Sequence, residues 1–186
     1  MATLPIPLND GTSIPWLSYG SGTALYNQDA TKFVTDAIKA GFRHIDAAQM
    51  YQNEEYVGAG IAAAGVPRSE LYITTKLDKL PAGKSVRDTL VDSLKKLQVD
   101  YVDLFLIHMP IAHADLKATW KDLEALQKEG LTKTIGVSNF QPKHLKQIFE
   151  VATIPPAVNQ VSKSRPPRVF PCLPKFNLDR IPPLRI

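Results

Sequence analysis

Asp46, Lys76, His108 and Ser138 stand 30, 32 and 30 residues apart, each closing a short apolar run, and this spacing limits the folds open to the chain. The apolar runs predict strands at residues 17–20, 44–46, 71–75, 102–108, 134–137 and 157–160. Between them, apolar residues at helical spacing predict helices over about 29–40, 53–64, 84–98, 115–129 and 142–151. In the third of these, Val86, Leu90, Leu94 and Leu97 share one face. Strands alternating with helices imply βαβ units and a parallel sheet. Residues 102–107, nearly all apolar, fit a strand buried on both faces. At the start, Asp10-Gly11 between short apolar pieces over 5–15 is a hairpin signal. In parallel α/β folds the C-terminal strand ends point to one rim, where ligands bind. The four polar residues are therefore expected together on that rim.

The net charge of +4 over 186 residues is unevenly spread. Residues 1–161 carry 16 basic and 17 acidic side chains; residues 162–186 carry six basic residues against Asp179 alone. The latter stretch also holds six of the 15 prolines and none of the glycines. The chain therefore divides into a body, 1–161, and a basic, Pro-rich tail, 162–186, expected to be extended or disordered. The charge of the tail says nothing about partners of the body, and no nucleic-acid role is expected from six basic residues without a folded platform. A single cysteine, Cys172, excludes an internal disulfide and a Cys-rich zinc site. With no secretory signal and no membrane-spanning apolar run, the expectation is a soluble, cytoplasmic protein.

The rim residues suggest proton chemistry. Tyr51 follows Asp46 by five residues and joins Lys76 and His108. An unperturbed phenol titrates near 10, too high for easy acid–base work at neutral pH. An adjacent ammonium favours the phenolate, and a carboxylate beside that ammonium keeps it charged and in place. Such a tyrosine protonates an oxygen on which negative charge develops, as in carbonyl reduction. Side chains cannot supply a hydride, so a nicotinamide cofactor is required. His44, His113 and His144 lack such company and read as structural or exposed. No metal motif is present, and Gly20-Ser-Gly22-Thr is too short for a phosphate loop.

These residues resemble the aldo-keto reductase family. Gly41-Phe-Arg-His-Ile-Asp-Ala-Ala-Gln-Met-Tyr-Gln-Asn-Glu-Glu-Tyr-Val-Gly58 is similar to its first signature, and Lys133-Thr-Ile-Gly-Val-Ser-Asn-Phe140 to its second. Ile73-Thr-Thr-Lys76 and Leu106-Ile-His108 resemble the segments that contribute its lysine and histidine. The resemblance implies a (β/α)8 barrel that reduces aldehydes or ketones with NADPH. It makes Tyr51 the proton donor, Lys76 and Asp46 the groups that tune it, and His108 the group that orients a small-molecule carbonyl substrate. Ser138, Asn139 and Gln160 match positions that bind the nicotinamide carboxamide; Thr23 and Asp46 match positions near its ribose. Where the family often has tryptophan, this chain has Ala24 and Met109, implying a smaller, softer pocket wall.

After Val161 the resemblance stops. About six strands fall short of the eight in a complete barrel of roughly 250 residues. Two unpaired edges are then expected, inviting strand pairing with other chains or aggregation, although the family implies a monomer. The segment that grips the 2′-phosphate and adenine is not recognisable, so weak NADPH binding is expected. The abrupt change of composition reads as a frameshift, retained intron or altered exon appended to a truncated reductase, or else as a shortened variant or an acquired interaction tail. The alternative to an active reductase is thus a catalytically inactive fragment, unstable or acting only through a partner.

Overall fold

The computed structural model describes residues 5–161, together with the backbone of 169–171. Strands β1 (Pro5–Pro7) and β2 (Ser13–Pro15) form an antiparallel hairpin in which Ile6 faces Ile14. Gly11 takes φ +83° in its turn, and the Asp10 carboxylate accepts from the Thr12 amide at 3.0 Å and hydroxyl at 2.7 Å. The order then runs β3 (Tyr19–Gly20), α1 (Thr31–Lys39), β4 (His44–Asp46), α2 (Glu54–Ala64), β5 (Tyr72–Leu77) and α3 (Val86–Leu97). It continues with β6 (Val102–Ile107), α4 (Leu116–Lys128), β7 (Thr132–Ser138), α5 (Pro142–Phe149) and β8 (Val158–Gln160).

Strands β3 to β8 pair in chain order, every pair parallel. This is the expected incomplete barrel: a curled sheet of six β/α strands with a hairpin before it. A short strand, β9 (Val169–Pro171), joins β8 antiparallel, a pairing that the composition of the tail does not announce. Beyond these three residues, the expectation of an extended or disordered tail lies outside the described residues.

Strand β5 runs two residues past its apolar portion. Lys76 and Leu77 still pair with Leu106 and Ile107, so the ladder, rather than side-chain polarity, decides where β5 ends. The lysine is thereby held inside a strand instead of in a loop. Alternation places Ile73, Thr75 and Leu77 under the helices, and Tyr72, Thr74 and Lys76 on the inner face.

The outer face of the sheet and the inner faces of the helices enclose the main core, with Trp120, Phe105, Ile45, Ile73 and Leu97 buried in it. Helix α3 starts with a reciprocal cap, in which the Ser85 hydroxyl accepts from the Asp88 amide while the Asp88 carboxylate accepts from the Ser85 amide. Asp115 caps α4 by accepting from the amides of Lys117 and Ala118. Helix α2 is pressed between neighbours at two glycines. A Cβ on Gly58 would lie 2.2 Å from the Lys96 carbonyl oxygen, and one on Gly60 would lie 2.7 Å from the Thr31 carbonyl oxygen. On the inner face, Leu8 and Ile14 of the hairpin pack with Leu104, Leu106 and Val158. The Asn9 side chain donates to the Pro156 carbonyl at 3.1 Å, which ties the hairpin to the segment entering β8. The hairpin thus covers the inner face toward the N-terminal end of the sheet, away from the C-terminal rim.

Candidate active site

Seven of the eight residues singled out in the sequence line one cavity of about 250 Å3 at the C-terminal rim: Asp46, Tyr51, Lys76, His108, Ser138, Asn139 and Gln160, with Val161. The eighth, Thr23, is exposed on the short 3-10 turn Thr23–Leu25 and does not line it. A larger cavity, about 400 Å3, lies at the other end of the strands between the hairpin and residues such as Glu70, Asp103 and Lys133, and contains none of the eight.

Lys76 is almost completely buried, 1 % exposed. An isolated buried ammonium would be costly, and the cost is offset only by partners. Its Nζ donates to Asp46 Oδ1 at 2.5 Å, to the Ala47 carbonyl at 3.0 Å and to Tyr51 Oη at 3.4 Å. All three donor directions of the ammonium are therefore used, one of them on the phenol. Asp46 is held from its other oxygen as well, since Gln160 Nε2 donates to Oδ2 at 2.9 Å. That bond joins β8 to β4 across the concave face of the sheet, between residues 114 apart in the chain.

The Tyr51 ring meets the His108 imidazole edge-on, with centroids 5.7 Å apart. His108 is held down at about 4, by burial first and then by the Lys76 charge, so near neutral pH the imidazole is neutral. Its Nδ1 is buried without a hydrogen-bond partner among the described residues. Tyr51 lies against Gly22 on its other side, where a Cβ would come within 2.8 Å of the phenol ring carbon bearing the hydroxyl. Glycine is needed at that point by close approach, not by backbone angle. Buried Asn53 secures the same loop by donating to the carbonyls of Ser21 at 2.8 Å and Leu25 at 2.7 Å.

The remaining wall is built from hydroxyl and amide groups. Ser138 Oγ donates to the Gln160 carbonyl at 2.7 Å, and the Asn139 amide nitrogen donates to the same oxygen at 3.0 Å. Asn139 sits at φ +60°, and its side chain donates to the His108 carbonyl at 3.2 Å and to Met109 Sδ at 3.3 Å. Met109 is thus coupled to the site through sulfur, a soft acceptor where an indole would offer none.

The other histidines have separate duties. His44 is buried, bonds Thr74 Oγ1 at 2.8 Å and is depressed to about 4, chiefly by burial. His144 accepts from the Gln141 amide at the start of α5. His113 is held below its ordinary range by burial. Sequence reasoning missed the supports: Gly22 against Tyr51, Asn53 under its loop, and the bond from Gln160 to Asp46. Asn53 and Gln160 stood within recognised segments, but only assembled strands show what they hold. Among the described residues no helix is long and apolar enough to cross a membrane, and no group of three or more His, Cys, Asp or Glu is placed to bind a metal ion.

A model of the aldo/keto reductase family matches residues 16–166. The methylglyoxal reductase DkgA of Salmonella typhimurium is 45 % identical over 157 residues, covering 84 % of this chain and 56 % of that protein. Among solved structures, an aldo/keto reductase from Brucella melitensis superposes with a TM-score of 0.80 at 41 % identity, over 87 % of this chain and 63 % of the other. The Bombyx mori aldo-keto reductase in complex with NADP gives 0.77 at 38 % identity, over 88 % and 59 %. The chain spans a little over half the length of the curated relatives it matches.

Proposed function

This chain belongs to the aldo/keto reductase family, and we propose that its rim site reduces an aldehyde or ketone to an alcohol, with NADPH as the cofactor and Tyr51 as the proton donor. The supporting observation is the position of the Tyr51 hydroxyl, 3.4 Å from an ammonium that is itself fixed by Asp46. When a carbonyl oxygen gains negative charge, Tyr51 gives up its proton, and the phenolate left behind is stabilised by the nearby Lys76 charge. His108 is the wrong acid for this step, because it is already neutral at working pH. A neutral imidazole instead donates one N–H to the carbonyl oxygen and orients it toward Tyr51.

The donor set suits the cofactor. A carboxamide needs donors and acceptors together, and Ser138, Asn139 and Gln160 carry hydroxyl and amide groups of both kinds on the wall of the cavity shared with Tyr51 and His108, where their present bonds to one another and to Asp46 would be partly exchanged for bonds to the cofactor. These three residues would hold the carboxamide, with Asp46 and Thr23 toward the ribose. NADPH, when bound, supplies the hydride that no side chain can. The cavity, about 250 Å3 as the described residues bound it, is lined almost wholly by polar side chains, which suit a small polar carbonyl compound. Methylglyoxal, the compound in the name of the Salmonella relative, is therefore the substrate to test. Purified chain is mixed with NADPH and methylglyoxal, and the loss of NADPH absorbance is followed. Tyr51→Phe lowers kcat by roughly 10²–10⁴. A Tyr51→Phe variant as active as the unsubstituted chain refutes the proton donor, and no turnover by the unsubstituted chain refutes the activity.

A further inference from the structure

Behind the site, Glu54, Thr75 and Ser93 are buried between α2, β5 and α3 with half-buried Gln49 beside them, and none of the four lines the cavity. Glu54, 3 % exposed, accepts from Thr75 Oγ1 at 2.6 Å and from Ser93 Oγ at 3.0 Å. Ser93 has one hydroxyl hydrogen and spends it on Glu54, so its oxygen is free to accept from Gln49 Nε2 at 3.1 Å. Gln49 also donates to the Thr89 carbonyl at 3.2 Å and accepts from the Asp78 amide at 3.0 Å. Both of its amide hydrogens and one of its two carbonyl lone pairs are therefore used.

We propose that half-buried Gln49, together with buried Ser93 and Glu54, forms a polar strut that sets the position of Tyr51 against Lys76. The inference rests on the reductase reading above and adds positioning residues to it. Gln49 opens the 3-10 turn Gln49–Tyr51, at whose other end stands the phenol. Its carbonyl oxygen Oε1 grips the chain at Asp78, two residues beyond Lys76, and its amide grips α3. Glu54 fastens the same stretch of α3 to Thr75, the residue before Lys76. The bonds thus close a loop through both partners of the 3.4 Å contact. Burial pushes the Glu54 carboxyl up from its ordinary range, against the pull of its bonds to Thr75 and Ser93 and of the Lys96 charge. An apolar side chain would fill this space at lower cost if packing were the sole requirement. The polar groups specify a geometry, and the geometry they join is that of the two residues in the site.

The test uses Gln49→Leu and Ser93→Ala, with Thr119→Val in α4 as a comparably buried control outside the strut. A displacement approaching 1 Å at a reacting group costs up to about a hundredfold in rate, so both strut variants lower kcat roughly ten- to a hundredfold while KM for methylglyoxal and for NADPH stays put. In samples labelled with 13C at tyrosine Cζ, the Tyr51 resonance, identified by its loss in Tyr51→Phe, moves in both strut variants and not in Thr119→Val. An unchanged kcat, a rise in KM that accounts for the loss, or an unmoved Tyr51 resonance in the folded variants overturns the proposal. Should Gln49→Leu fail to fold, Ser93→Ala, which deletes one oxygen, decides alone. The resonance does not depend on turnover, so it judges the strut even where the reductase reading fails.

Discussion

Replacing Gly22 by alanine perturbs the site by one methyl group, and the structure fixes both where the strain falls and what it moves. The new Cβ would stand 2.8 Å from Tyr51 Cζ, 3.0 Å from Cε2 and 3.1 Å from Cε1. Carbon atoms in ordinary contact are about 3.5–4.0 Å apart, so something must withdraw by roughly 0.7–1.2 Å. Gly22 has φ −85°, an angle alanine adopts freely, so the backbone is not strained by the change itself. The ring is the compliant partner because it swings about its own side-chain bonds, whereas Lys76 and Asp46 are held in strands. Stability should therefore change by less than about 1 kcal/mol, a Tm shift of no more than roughly 2–4 °C for a chain of this size. The hydroxyl, however, is carried off a contact that is already 3.4 Å long. Misplacement on this scale predicts a kcat roughly ten- to a hundredfold lower, measured as NADPH consumption with methylglyoxal, beside thermal unfolding followed by circular dichroism. A kcat within about twofold of the parent would mean that the phenol tolerates displacement and that its placement is not what the site depends on. A large fall in Tm would show instead that the backbone, not the ring, gave way.

Two further outcomes follow from buried groups outside this contact. His44 and His108 are both held at about 4 by burial, while an unfolded histidine titrates near 6.5. The unfolded chain therefore binds more protons between pH 6.5 and 4, so stability is full above about 6.5 and declines as the pH falls toward 4. Between pH 7 and 5 the urea unfolding midpoint should fall further in the parent than in His44→Gln, a difference that cancels the contributions of other groups such as Glu54; a His44→Gln series parallel to the parent refutes the assignment of a neutral buried His44. Gly58→Ala places a methyl 2.2 Å from the Lys96 carbonyl oxygen and 2.7 Å from Leu97 C. Both are backbone atoms of the α3 terminus, so α2 must move and the fold should lose on the order of 1–3 kcal/mol; an unchanged Tm would show that the helices do not meet there.

The placement of the four rim residues was legible in the chain because it depends on local rules. Apolar runs set the strands, helical periodicity set the crossovers, and a parallel connection leaves each strand end on the same side. Asp46, Lys76, His108 and Ser138 needed no further information to share a rim. The helix limits were legible to within about two residues, since caps such as Ser85 with Asp88 are short-range. The end of β5 was not. The apolar run predicts a strand ending at Thr75, with Lys76 just beyond it, and only the ladder to β6 carries the strand on through Lys76 and Leu77.

What tertiary structure alone decided is the company each side chain keeps. Gln160 reaches Asp46 because the sheet curls until its sixth parallel strand faces its second, and no local pattern encodes a bond across 114 residues. Gly22 is defined by the ring that lies on it, and Gln49 by the turn and strand it joins. The neutral state of His108 is likewise a property of its surroundings, since burial and the Lys76 charge are absent from the sequence as such. Residue types and periodicity specified which groups would share the rim, because strand and helix periods are set over a few residues at a time. Distances, protonation and the supports behind the site came from packing, where every contact depends on how distant segments fill one volume.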